Sequence, residues 1–188
     1  VSGDYIRNFV ADHGSVHAIA ITPDGRQFVS GHYEGALLVW DLEMGHIIRK
    51  LEGYTSTVTS IAITSDCRLV ISGSRDGTIR IWHFHTGRLI DVLKGHSSRV
   101  TAIALSHDGR FAMSASDDRT VKVWGLEIAN AGQDTMIPER HTACINGVAI
   151  SSDGQFALTG SVDTTVKLWH LSSGRVARVF GAHVTDVH

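Results

Sequence analysis

Short runs in which apolar and polar residues alternate cover most of the chain, and turns rich in glycine and aspartate break them about every ten residues. Alternation with period two puts successive side chains on opposite faces, so each run predicts a half-buried β-strand. The runs come in groups of four. The first strand of a group, a, reads VHAIAIT (16–22), VTSIAIT (58–64), VTAIALS (100–106) and INGVAIS (145–151). Asp24-Gly25, Asp66-Cys67, Asp108-Gly109 and Asp153-Gly154 follow it, suited to two-residue hairpins, with Cys67 in a place that costs a non-glycine residue roughly 1–2 kcal/mol. Strand b carries FVSG, LVISGS, FAMSAS or FALTGS, and strand c ends on a tryptophan. Strand d is a run such as GRLIDVLKG (87–95) or GRVARVFGA (174–182).

These groups are copies of one unit. Trp40, Trp82, Trp124 and Trp169 stand 42, 42 and 45 residues apart. The opening positions His13, Tyr54, His96, His141 and His183 stand 41, 42, 45 and 42 apart. That period is the length of a four-stranded propeller blade, and the alternation excludes helical repeats of similar length. Ala20, Ala62, Ala104 and Ala149 recur in the middle of strand a, where blades converging on an axis leave little room.

Composition narrows the function classes. Lys and Arg total 17 against 19 Asp and Glu, so bulk charge supports neither a nucleic-acid nor a membrane-surface role. No apolar run reaches the ~20 residues of a spanning helix, and VSGDYIRNFV has no secretory-signal character. Two cysteines make no disulfide framework and favour a reducing compartment; Cys67 and Cys144, expected at opposite ends of the strands, are expected to be free thiols. His83 and His85 point to one side of an extended segment, but no further ligands stand at metal-site spacing, so no metal is expected. The glycines form no phosphate cradle, and no cofactor is expected.

The units resemble the WD-repeat family of β-propellers, whose pattern is Gly-His near the start of a unit and Trp-Asp near its end. Gly95-His96 and Trp40-Asp41 match fully. Asp12-His13, Gly53-Tyr54, Arg140-His141 and Ala182-His183 match in part, as do Trp82-His83, Trp124-Gly125 and Trp169-His170. The resemblance implies an all-β propeller with four complete four-stranded repeats at 13–53, 54–95, 96–140 and 141–182. Residues 1–12 would be strand d of a preceding blade and 183–188 the start of a further repeat. The family's rings usually have seven or eight blades, so the chain is expected to be part of a larger propeller. A second copy completing an eight-bladed ring and a closed four-bladed monomer are the alternatives.

The resemblance also implies a buried network joining the opening His, a strand-b hydroxyl, the carboxylate of the b–c turn and the Trp. By position the sets are His13, Ser30, Glu34 and Trp40; Tyr54, Ser72, Asp76 and Trp82; His96, Ser114, Asp118 and Trp124; and His141, Thr159, Asp163 and Trp169. Ser74, Ser116 and Ser161, two residues further on, are alternative hydroxyls. The longer Glu34 and the Tyr54 substitution are expected to leave the first two units less well pinned. His, Ser and Asp also make hydrolase triads, yet here they recur beside a tryptophan without a nucleophile elbow, which favours structure over catalysis.

The expected function is therefore a non-catalytic scaffold for protein–protein interaction, within a larger multidomain protein of the cell interior, expected in the cytoplasm. The alternative is a regulatory or sensory propeller attached to an enzyme, such as a nucleotide-hydrolysing switch or a protein kinase, with catalysis outside these residues. The partner is expected to be a protein or peptide, with no membrane or nucleic acid. By position in the family, it meets the face formed by d–a and b–c loops, at Ser15, Tyr33, Thr57, Arg75, Arg99, Asp117, Cys144 and Val162. Arg75 and Arg99 come from neighbouring units and would suit carboxylates or phosphates, or else be merely solvated. Three extra residues within LEIANAGQDTMIPER (126–140) read as a tolerated surface insertion, with a partner-specific bulge as the alternative.

Overall fold

A computed structural model describes residues 6–54, 56–126, 134–136 (backbone) and 140–181. Its four sheets each have four antiparallel strands, paired in chain order. Sheet 1 holds β1 (Val16–Ile21), β2 (Gln27–His32), β3 (Leu37–Asp41) and β4 (Ile47–Leu51). Sheet 2 holds β5 (Val58–Ile63), β6 (Leu69–Ser74), β7 (Thr78–His83) and β8 (Leu89–Lys94). Sheet 3 holds β9 (Val100–Leu105), β10 (Phe111–Ser116), β11 (Val121–Gly125) and β12 (Asp134–Met136). Sheet 4 holds β13 (Ile145–Ile150), β14 (Phe156–Ser161), β15 (Val166–His170) and β16 (Arg175–Phe180). There is no helix among the described residues, hence none long and apolar enough to cross a membrane.

The first strands pack in succession, β1 on β5, β5 on β9 and β9 on β13, and each second strand also lies against the next sheet's first strand. The sheets therefore fan out in chain order, as the blades of a propeller do. What holds them is apolar burial between neighbours. Val29, Leu37, Val39 and Leu51 of sheet 1 meet Val58, Val70 and Trp82 of sheet 2. Ile71, Ile79 and Leu93 meet Val100 and Trp124, and Met113 and Val121 meet Ile145 and Trp169. Trp82, Trp124 and Trp169 thus fill the seam with the preceding sheet, and all four tryptophans are at most 3% exposed. Close approach at these seams needs small residues on the second strand: a Cβ on Gly73 would lie 2.6 Å from Val100 Cγ1.

One expectation is corrected. The a–b connections are not two-residue hairpins. In the first, Thr22 N–H bonds the Gln27 carbonyl at 2.9 Å, leaving four residues in the loop, of which only Gly25 is left-handed (φ +69°). The aspartate instead accepts from a preceding hydroxyl, Thr22 Oγ1 to Asp24 Oδ1 at 2.6 Å, and from the Arg26 N–H at 3.1 Å, an Asx-type closure that needs the longer loop. Asp66, Asp108 and Asp153 repeat it. Residues 1–12 are expected as strand d of a preceding blade. Their described part, 6–12, lies outside the four sheets. Phe9 lies instead edge-on to Phe28 and Trp40, with centroids 4.9 and 5.8 Å away, where a preceding sheet would otherwise cover that tryptophan. Residues 182–188, with His183, and 127–133 and 137–139 of the insertion lie outside the described residues.

Candidate functional site

The four indoles do the same thing. Each Nε1–H donates to a hydroxyl on the neighbouring second strand: Trp40 to Ser30 at 2.7 Å, Trp82 to Ser72 at 2.9 Å, Trp124 to Ser114 at 2.8 Å and Trp169 to Thr159 at 2.8 Å. These hydroxyl residues are 0–3% exposed. A buried indole needs an acceptor, and the hydroxyl keeps its own proton to pass on. The alternative hydroxyls do another job: Ser116 Oγ donates to the Ser98 carbonyl at 3.2 Å and Ser161 Oγ to that of Cys144 at 2.9 Å, tying strand b to the d–a loop.

In sheets 3 and 4 the chain of bonds is complete. His96 Nε2 lies 2.7 Å from Ser114 Oγ, and its Nδ1 lies 2.8 Å from Asp118 Oδ2. His141 repeats this with Thr159 and Asp163, both at 2.8 Å. Every group is satisfied if the indole donates to the hydroxyl, the hydroxyl to Nε2 of a neutral imidazole, and Nδ1–H to the carboxylate. Burial lowers the His141 pKa, in keeping with that neutral ring. Burial acts to raise Asp163, but bonds from Thr165, the Thr142 N–H and His141 outweigh it and hold the carboxyl well below its ordinary value. Asp118 is lowered likewise, burial being outweighed by Thr120 and His96. Thr120 and Thr165 were not singled out from the sequence. Their hydroxyls donate to Asp118 at 2.5 Å and Asp163 at 2.6 Å, and the signal was there in Asp-x-Thr at 118–120 and 163–165.

The first two sheets depart from the expected sets. In sheet 2, Tyr54 Oη lies 3.1 Å from Ser72 Oγ and donates to the Ser72 carbonyl at 2.7 Å. Asp76 does not bond the phenol; it accepts from Thr78 and pairs with Arg80, whose guanidinium lies 3.7 Å above the Tyr54 ring. In sheet 1 neither His13 nor Glu34 joins Ser30. The imidazole there is His32, with Nε2 2.9 Å from Ser30 Oγ and Nδ1 3.3 Å from the Gly14 carbonyl. His32 is 1% exposed, and burial lowers its pKa. His13 is left half-buried beside it, rings 6.0 Å apart, lining an open groove with Glu34. The reason is local. Unit 1 has Ala36 where the others have threonine, and its carboxylate is an exposed glutamate, so the turn offers an opening-loop imidazole nothing to hold.

At the end of the sheets bearing the d–a loops and b–c turns, the eight residues expected there form four couples, each joined by one backbone bond. Tyr33 N–H donates to the Ser15 carbonyl at 2.9 Å, Arg75 to Thr57 at 2.9 Å, Asp117 to Arg99 at 3.0 Å and Val162 to Cys144 at 2.9 Å. Each bond pins a b–c turn to the d–a loop that feeds the same sheet. Cys67 lies in an a–b loop at the other end, and both thiols are free. His83 Nδ1 accepts from the Thr86 N–H at 3.2 Å within its own turn. The described residues hold no group of three or more His, Cys, Asp and Glu placed to bind a metal.

The model of a family described as WD domain, G-beta repeat matches the chain four times, at residues 3–41, 45–83, 87–125 and 132–170. Each match closes on or just after one of the four tryptophan-bearing strands. No curated protein matches.

Proposed function

Because the chain belongs to the WD-repeat family, whose repeats are generally protein-interaction scaffolds without catalysis of their own, we propose that it is a non-catalytic platform whose partner, a protein or peptide, sits on the d–a/b–c rim. One observation carries the reading. The hydroxyls and imidazoles that would make a nucleophile are buried and spent in the tryptophan networks, whereas the rim couples have pinned backbones and exposed side chains at Ser15, Tyr33, Arg75 and Arg99. Ser15, Tyr33, Thr57, Arg75, Arg99, Asp117, Cys144 and Val162 are its contact positions. The repeats run 13–53, 54–95, 96–140 and 141–182, and further blades complete the ring. Apolar end faces support that completion: Val16, Ile19 and Ile21 are 55–65% exposed on one, and Leu158 and Val179 42% and 52% on the other. The protein works in the cytoplasm, and its unpaired thiols agree with a reducing compartment.

A photo-crosslinking residue placed at Tyr33 or Val162 tests this against one at Asp153, in an a–b loop on the opposite rim. The expected result is a discrete adduct from the first two positions and none from Asp153. Adducts from Asp153 alone, or equally from all three, overturn the reading.

A further inference from the structure

Where sheets 1 to 3 meet at the rim there is a cavity of about 120 Å³, lined by His17, Tyr33, Thr57, Thr59, Arg75 and Arg99. At roughly 30 Å³ per water in the liquid, it holds about four waters, or one small polar group. Its lining is rich in donors and contains no carboxylate. The two guanidiniums differ from Arg80, the cation nearest to Arg75 along the chain. Arg80 is matched by Asp76 and stacked on Tyr54. Among the described residues, neither Arg75 nor Arg99 forms an ion pair or a side-chain hydrogen bond, though the backbone of each is fixed by the rim couples. Thr57 adds a donor: the residue is 7% exposed, and its hydroxyl, without a partner among the described residues, stays open to solvent. Asp117 shares a couple with Arg99 but does not line the cavity.

Two uncompensated guanidiniums and an unused hydroxyl, delivered by neighbouring sheets to one small cavity, are the complement of an anion. Guanidinium groups bind carboxylate and phosphate through paired charge-assisted bonds. We propose that this cavity is a recognition pocket for one anionic side chain of a peptide partner, with Arg75 and Arg99 clamping the charge, Thr57 donating to it, and the half-exposed Tyr33 ring forming its wall. The assignment rests on the scaffold reading above and adds the chemistry that the rim selects. A carboxylate and a phosphorylated hydroxyl share that chemistry.

The test uses three peptides of equal length with central Glu-Asp-Glu, Gly-phosphoserine-Gly or Gln-Asn-Gln, titrated into the ¹⁵N-labelled chain. Either or both acidic peptides should shift the amides of Thr57, Arg75 and Arg99, the stronger binder naming the anion, while the neutral peptide leaves them in place. The Arg75→Gln/Arg99→Gln variant should lose at least about tenfold in affinity with unchanged thermal unfolding. Arg75→Lys/Arg99→Lys, keeping charge but losing the fork, should fall between the two. Equal shifts from the neutral peptide, no shift from either acidic one, or undiminished binding by the glutamine variant overturns the proposal. If it falls while a crosslinker at Tyr33 still captures a discrete partner, the scaffold reading stands; if both fail, that reading goes too.

Discussion

Three histidine-to-alanine variants separate the network that spacing suggests from the one that the fold builds. His96 has a fully buried side chain and sits between Ser114 at 2.7 Å and Asp118 at 2.8 Å, with Trp124 6.3 Å from it, centroid to centroid. His96→Ala takes a donor from a carboxylate that is 8% exposed and an acceptor from a buried hydroxyl, and leaves a void against the indole. Asp118 keeps its bonds from the Ser97 N–H and Thr120, so the loss is not that of a bare buried charge. Leaving such groups short of a partner costs about 1–3 kcal/mol, and the void adds to it, so a total of about 2–4 kcal/mol is expected. His32→Ala removes the bonds to Ser30 and the Gly14 carbonyl at a site 1% exposed and should cost about 1–3 kcal/mol. His13→Ala removes a half-buried ring with no hydrogen bond among the described residues and should stay within about 0.5 kcal/mol. Urea unfolding of the three variants, followed by tryptophan fluorescence, reads the order directly. A loss at His13 as large as that at His96, or no loss at His32, would refute the assignment of imidazoles to sheets.

Three other outcomes follow from the same structure. Stability should fall in two steps as the pH drops. His141 and His32 have lowered folded pKa values, so the unfolded chain takes up their protons first, and stability begins to decline through about pH 6.5; Asp118 and Asp163, also lowered, contribute fully above about pH 4 and are lost below it. A urea midpoint that stays flat from pH 8 to pH 5 would contradict this. Glycine exchanges should have opposite signs at corresponding b–c turn positions: Thr164→Gly relieves a β-branched residue at φ +66° and should stabilise by about 0.5–1 kcal/mol, whereas a Cβ at Gly77 meets the His96 carbonyl oxygen at 2.9 Å at φ +82°, so Gly77→Ala should cost more than about 1 kcal/mol. Thermal midpoints moving in the same direction would count against both. Finally, Ile19→Lys, on an end face 65% exposed at that residue, should reduce concentration-dependent association in sedimentation without lowering stability; unchanged association would show that this face is not what brings copies together.

The fold was legible in the sequence because its cause is local. Alternation with period two sets which residues of a strand face the seam, and a tryptophan on each third strand marks the register, as in Phe28 opposite Trp40 and Val70 opposite Trp82. The hydroxyl partners were harder to read. Ser72 and Ser74 are two apart on one strand and share a face, so alternation cannot choose between them; the reach of the indole across the pair chooses Ser72. The imidazole of sheet 1 was misplaced for a third reason. Spacing aligns His13 with His96 and His141, but a ring can be brought to the same hydroxyl from the opening loop or from two residues along the strand. What decides is whether the b–c turn offers a short carboxylate and a threonine to hold an incoming ring at its Nδ1. Asp118 with Thr120, and Asp163 with Thr165, do so; Glu34 and Ala36 do not. In their absence, the histidine already fixed on strand b at the position of Ser74, Ser116 and Ser161 reaches Ser30, and the Gly14 carbonyl takes the place of the aspartate. Sheet 1 therefore keeps its indole satisfied but gives up the bond that clamps the opening loop to the turn carboxylate, on the side of the rim where Ser15 and Tyr33 lie.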